Sequence, residues 1–385
     1  MTDTKTAVTL RATRALIHAG ALKANLHALR RALPPDTIIC AAVKANAYGH
    51  GALRISKILR DEGVEVLGVS SPFEGRELRE GGDNGRILLL GPTVPEEIPL
   101  TLEANLELFV TSDRYLRAIE KTLSNNPPGS SENERVPMHL KVDSGMGRVG
   151  CRPDEALALA HRISSHPRMA LIGIATHFPS ADSERGADRE FTRKQAAILS
   201  DIAGQLRSAG INPGILHAAN SGAIALSPET AFGMVRPGIA LYGYGPPKSE
   251  RIELKPVMEL KTRITEMKKI PPKTTVSYGR TWESTRETWI AILPVGYADG
   301  YPWRLSNHAE VLIDGQRYPV VGSVCMDQLM VDLGPETHIQ PGDEVILFGS
   351  NPSGPDAQEL ADIAGTIPYE ITCGISLRVP KIYID

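Results

Sequence analysis

Two hydrophobic patterns alternate along the first two thirds of the chain. Short apolar runs rich in β-branched residues are each followed by a longer amphipathic stretch. The runs are TIICAAV (37–43), VEVLGVS (64–70), RILLLG (86–91), LELFV (106–110), VPMHLKV (136–142), MALIGIAT (169–176), GILHA (214–218) and FGMVR (232–236). Runs of this length and texture read as strands buried on both faces of a parallel sheet. Between them, GALRISKILRDEG (51–63) and RKQAAILSDIAGQLRSAG (193–210) read as helices, the second ending at a glycine. Eight such units in about 240 residues match the arithmetic of an α/β fold of the (β/α)8 TIM-barrel type. A doubly wound open sheet is the competing architecture.

After residue 245 the texture changes. GYGPPKSE (243–250) is a turn-rich connector, and strand-like runs follow: VMELKTRITEM, TVSYGRTW, TWIAILPVGYA, AEVLIDGQRYPVVG, QLMVDL and DEVILFG. Asp-Gly in IDGQ (313–316) signals a tight hairpin. One helix is expected in AQELADIAGTI (357–367). The chain therefore divides into a barrel over 11–245 and a mostly β domain over 246–385, with residues 1–12 a candidate addition to the second. SNNPPGSSENE (124–134) reads as an exposed loop.

Composition narrows the function. The 385 residues, 42% hydrophobic and 23% charged, suit two domains with real cores and exclude wholesale disorder. A net charge of −3 offers no electrostatic footprint for nucleic acid. No apolar run reaches membrane-spanning length, and MTDTKTAV lacks the pattern of a secretory signal. Cys40, Cys151, Cys325 and Cys373 sit far apart without a CxxC pair, which suggests neither a metal site nor a disulfide framework and favours the cytoplasm. Each reads as a small core residue.

GMGRVG (145–150) matches G-x-G-x-x-G, yet the dinucleotide reading fails. The acidic residue required about 20 positions later is missing from SSHPRMA (164–170), and Pro153 delays the following helix. The glycines instead let a loop turn tightly at the barrel mouth and present Arg148.

The chemistry concentrates in AVKANAYGHG (42–51), where Lys44 stands at the end of a buried strand. Strand C-termini face the active site of a barrel, and a lysine there can form a Schiff base. A structural lysine snorkelling to solvent is the alternative. HAANSGA (217–223) and RPGIALYG (236–243) follow the seventh and eighth strands, where barrels recurrently bind phosphate. A lysine facing a phosphate cradle fits an aldehyde cofactor that carries phosphate, pyridoxal 5'-phosphate (PLP).

These blocks, with HLKVDSGMGRVG, ATHF, VSYGRTW, LPVGYADGYP, CMDQ, PYEI and LRVPKIY, occur in one order over nearly the whole chain. In this the chain resembles alanine racemase, a PLP-dependent family of fold type III with a barrel and a C-terminal β domain. The resemblance implies interconversion of L- and D-alanine by two-base proton transfer on a PLP external aldimine, supplying D-alanine for peptidoglycan. Lys44 matches the PLP-binding lysine and one base, and Tyr278 matches the base on the opposite face. His177 matches a histidine that tunes that tyrosine, and Arg236 the residue facing the pyridine nitrogen. Tyr48, Ser221, Gly238, Ile239 and Tyr369 match phosphate ligands. Arg148 and Met326 match groups that hold the substrate carboxylate, and Asp182, Tyr297 and Asp327 line the entrance. Lys141 matches a lysine that is N-carboxylated in many relatives; a plain lysine paired with an acid is the alternative. Tyr278 and Met326 reach the site from a second subunit in the family, which implies a homodimer with shared sites and no nucleic-acid or membrane partner. Ser144, Pro179 and Ser323 depart from the family pattern. A broader amino-acid racemase, a PLP-dependent decarboxylase and a non-catalytic PLP carrier are the competing functions.

Overall fold

The computed structural model describes residues 11–125, 135–245 and 252–385. Most of the connector 243–250 and of residues 1–12 lies outside the described residues. So does most of the loop expected over 124–134, although Ser124 and Asn125 complete a helix, Asp113–Asn125.

The described residues open with strand β1 (Arg14–His18) and then run through eight strands of one parallel sheet. These are β2 (Ile38–Ala42), β3 (Val66–Val69), β4 (Arg86–Leu89), β5 (Leu108–Val110), β6 (Val136–Lys141), β7 (Met169–Ala175), β8 (Ile215–His217) and β9 (Met234–Val235). Each falls inside one of the eight apolar runs. Their spatial order is β4-β3-β2-β9-β8-β7-β6-β5, and β4 meets β5 through reciprocal bonds, Leu89 N–H to Glu107 O (2.9 Å) and Glu107 N–H to Ile87 O (2.8 Å). That closure excludes the open sheet and makes a barrel. Cys40, Val66, Leu88, Phe109, Ala175 and Met234 form a buried cluster of their own.

The flanking helices follow from apolar spacing. Ala52–Asp61 buries Ala52, Ile55, Ile58 and Leu59 on one face, each aliphatic side chain contributing about 1.5–3 kcal/mol. Ser71 caps Pro72–Glu80 by accepting the Glu74 N–H at 3.2 Å. The helix expected over 193–210 starts earlier, as Gly186–Ser208.

The second domain contains β10 (Met258–Arg263), β11 (Glu266–Ile270), β12 (Thr275–Val276), β13 (Trp282–Glu283), β14 (Thr288–Leu293), β15 (Glu310–Ile313), β16 (Gln316–Pro319), β17 (Leu329–Gly334), β18 (Glu344–Phe348) and β19 (Lys381–Ile384). Asp314 and Gly315 both take positive φ (46° and 77°) between β15 and β16, the hairpin expected from Asp-Gly. Its main sheet has the order β16-β15-β18-β10-β1-β19, so β1, which lies within the 11–245 stretch, pairs with the far end of the chain.

Two further departures matter. The helix expected over 357–367 ends at Ala364, and an unforeseen one, Pro368–Gly374, carries the PYEI block. Cys40 and Cys151 are buried as expected, but Cys373 is exposed near the end of that unforeseen helix and Cys325 is half-buried.

Gly49 joins this helix to the barrel. Its φ is +85°, and a Cβ there would lie 2.1 Å from Thr372 O. Gly49→Ala is expected to cost about 2–4 kcal/mol, read as a lower urea midpoint with an unchanged slope. A midpoint equal to that of the parent would show the contact to be dispensable.

Candidate active site

The strand C-termini converge on a cavity of about 660 Å³. Lys44, two residues past β2, reaches its wall because Ala45, Asn46, Ala47 and Tyr48 all have φ near +50°. This single left-handed turn is costly for residues bearing a Cβ and is held from several sides. Glu74 accepts the Ala45 N–H (2.8 Å), Asn46 Oδ1 accepts the Ala52 N–H (2.7 Å), and Val43 O accepts the Ala47 N–H (2.8 Å).

Tyr48, stacked on Tyr242 at 4.9 Å, leans over Gly238, where a Cβ would sit 2.3 Å from its Oη. Asn220 caps the helix Ser221–Leu226. Ser221 Oγ accepts the N–H groups of Gly238 (3.0 Å) and Ala240 (3.3 Å), so the Gly238 amide is already engaged. Ile239 and Tyr369 complete this wall, and burial pushes the Tyr369 phenol up to about 12. The three hydroxyls of Tyr48, Ser221 and Tyr369, beside a glycine with no space for a Cβ, form a donor set suited to a phosphate. The residues present therefore fit PLP.

Arg236, buried just past β9, meets no carboxylate within ion-pair distance among the described residues. Its guanidinium donates to Thr176 O (2.7 Å), Ala218 O (3.2 Å), His217 Nδ1 (2.7 Å) and His177 Nδ1 (3.2 Å). Burial lowers its pKa to about 10, which leaves it cationic at neutral pH. Burial and the nearby cations Lys141 and Arg236 hold His177 well below the ordinary imidazole value.

Lys141, at the end of β6, is buried and donates to Thr176 O at 2.8 Å. Burial, then Arg236 and Arg148, bring its amine far below the usual lysine value. No acid within ion-pair distance accompanies it among the described residues, so the structure contradicts the acid-paired alternative. Asp143 Oδ1 accepts the N–H groups of Gly145 and Gly147 (both 3.0 Å) and shapes the loop that brings Arg148 to the cavity. Those two glycines and Gly150 all have positive φ, as the tight-turn reading requires. Asp182 also lines the cavity.

Tyr278, Met326, Tyr297 and Asp327 lie away from this cavity, in the second domain. Tyr278 is 75% exposed, Met326 52% and Tyr297 46%. Tyr297 N–H bonds Cys325 O (3.0 Å), Ala298 N–H bonds Met326 O (3.1 Å), and Arg378 donates to Asp327 (2.7 Å).

The family model for the alanine racemase N-terminal domain matches residues 17–246, and that for the C-terminal domain matches residues 257–383. The chain belongs to the alanine racemase family. This is a family of PLP-dependent isomerases. Alanine racemase of Treponema denticola is 43% identical over 98% of this chain and 99% of its own length. The solved alanine racemase of Clostridium difficile 630 has a TM-score of 0.90 at 37% identity, covering 97% of this chain and 96% of its own. A cycloserine complex of the C. difficile enzyme has a TM-score of 0.88 at 36% identity, covering 97% and 96%.

Two features escaped the sequence reading. Ser323, without a physical account from sequence, donates to Tyr278 O (2.9 Å), while its own carbonyl accepts Ser277 Oγ (2.6 Å); it braces the turn that displays this racemase-family tyrosine. Glu107 and His139, inside apolar runs, join His217 in a buried polar chain. The only signal for them was a titratable residue in the middle of an otherwise apolar strand.

His50, His139 and His217 are fully buried, and burial depresses all three imidazoles, His50 to about 4. Unfolded histidine binds its proton near pH 6.5, so below that pH the unfolded state holds more protons and stability falls as pH drops. Between pH 7 and 5 the unfolding free energy is expected to decline by up to about 1.4 kcal/mol per pH unit for each such histidine. Urea titrations across that range check this, and a flat profile would contradict the neutral assignments.

Proposed function

We propose that the chain interconverts L- and D-alanine with PLP as cofactor. It acts as a cytoplasmic homodimer whose product supplies peptidoglycan synthesis. One observation carries the reading: Lys44, Tyr48, Arg148, His177 and Arg236 line a single cavity at the barrel mouth, and among the described residues Arg236 has no acid within ion-pair distance. The names of the relatives support alanine as substrate.

Bound PLP supplies an aldehyde that condenses with amines and a ring that acidifies the substrate Cα–H. Lys44 holds the cofactor at its Nζ and moves the Cα proton on one face. Tyr278 of a second copy moves it on the other, through Oη. Its exposure on its own chain suits that reach, and a single base would return the proton to the side it left. Met326 of that copy and Arg148 bind the substrate carboxylate, and Tyr297 and Asp327 of the second copy and Asp182 flank the entrance. Tyr48, Ser221, Gly238, Ile239 and Tyr369 bind phosphate. Arg236, whose guanidinium retains its own protons, would donate to the ring nitrogen, which would limit side reactions and disfavour decarboxylation. His177 links Arg236 to the tyrosine.

The buried amine of Lys141, its proton affinity lowered by burial, would attack carbon dioxide in its uncharged form, giving a carbamate with release of a proton. The new anion faces the Arg148 guanidinium. Enzyme equilibrated with ¹³C-bicarbonate should show one protein carbamate resonance that Lys141→Ala abolishes; its absence from the parent would remove the anion from the scheme.

The deciding experiment incubates the holoenzyme with L-alanine in heavy water, following Cα exchange and D-alanine together. Both should appear. Tyr278→Phe should lower racemisation by roughly 100-fold or more while exchange continues on one enantiomer. Absence of exchange with PLP bound would reject alanine, and a panel of amino acids scored for racemisation and carbon dioxide release would then identify the substrate.

A further inference from the structure

The inner barrel carries a line of polar side chains where apolar layers are the rule. Arg86 Nε and one terminal nitrogen bond the two oxygens of Glu107 (2.5 and 3.1 Å). Glu107 Oε2 lies 3.0 Å from His139 Nε2, His139 Nδ1 lies 3.0 Å from His217 Nε2, and His217 Nδ1 lies 2.7 Å from Arg236. Glu107, His139 and His217 are each less than 5% exposed.

The fold is shaped around this line. The β6/β7 register shifts between Met138 and His139. Opposite, a Cβ on Gly173 would stand 2.4 Å from His139 Nδ1. Phe109 stacks on His217 at 5.7 Å and meets His139 edge-on at 5.8 Å.

We infer that Glu107 and His139 are positioning residues that, through His217, lock every proton of this line in one direction and so hold Arg236 as a fixed donor. The elimination starts at Arg236. Guanidinium only donates, so His217 Nδ1 accepts and is bare. His217 then carries its proton on Nε2 and donates to His139 Nδ1. His139 in turn carries its proton on Nε2 and donates to Glu107. An imidazolium at either position would set two N–H groups against each other, so both rings are neutral. Arg86 and Arg236 disfavour a cation on both rings, against the pull of Glu107 toward one on His139. Although burial opposes it, the bonds from His139 and Arg86 keep Glu107 ionised. Each acceptor is polarised by the next, ending on a full negative charge. The line thus stabilises the cationic, donating form of Arg236 without placing an acid where a bound ring would meet it. The catalytic consequence rests on the reading of Arg236 under the proposed function; the proton arrangement does not.

The test begins with holoenzyme labelled with ¹⁵N-histidine, with the two rings assigned through His139→Gln and His217→Gln. Both are expected to be neutral, protonated at Nε2 and bare at Nδ1, without titrating from pH 5.5 to 9. An Nδ1–H tautomer or a titration in that range overturns the inference, whether or not alanine is racemised. Glu107→Gln and Gly173→Ala are then compared with the parent; the second leaves the Arg86–Glu107 pair in place should the first fail to fold. Each should disturb the tautomer pattern and lower kcat roughly ten-fold with KM for alanine within about two-fold, and Glu107→Asp should recover part of the loss. A disturbed pattern with parental kcat would confine the line to stability and refute its positioning role.

Discussion

Burial of the Arg236 guanidinium without a carboxylate is the constraint on which the barrel mouth depends. A charge removed from water must have every donor answered. Here carbonyls and imidazoles answer, drawn from the ends of two strands. Thr176 follows β7, His217 ends β8, and Ala218 follows it. The same burial acts on the neighbours. Desolvation first, and then the positive field of Arg236, lower the proton affinity of His177 and Lys141.

Much of this arrangement could be read from residue order. Each barrel strand sits inside an apolar run, because a strand buried on both faces has no polar alternation to blur it. Lys44, Ser221 and Arg236 could be placed because they immediately follow such runs. Strands β1 and β19 were missed for the opposite reason. RALIH and KIYI are short, half-buried and built from residues equally at home in a loop, and only a partner hundreds of positions away makes them strands. The Glu107–His139 line was hidden likewise: each residue interrupts an apolar run once, and only the closed barrel brings them together. Ser323 became intelligible once its hydroxyl met the Tyr278 carbonyl.

The two domains divide the labour unequally. Buried groups fixed by backbone strain and close packing sit in the barrel: the left-handed turn after Lys44 and the glycines at 49, 173 and 238 that admit no Cβ. The second domain displays its candidate groups on an exposed surface, where Tyr278 and Met326 stand largely free of their own chain. One half is organised inward and the other outward, consistent with a site completed by docking.

The position of β1 sets the order in which the molecule can be made. This strand precedes the whole barrel, yet its neighbours in the sheet are β10 and β19, which both follow the barrel. The barrel strands can collapse during translation, since every pair except β2–β9 joins strands that are consecutive in the chain. The edge that β1 offers to β19 stays open until β19 has been made. Such a strand waits with unpaired amides, and slow decoding ahead of β19 would lengthen that wait.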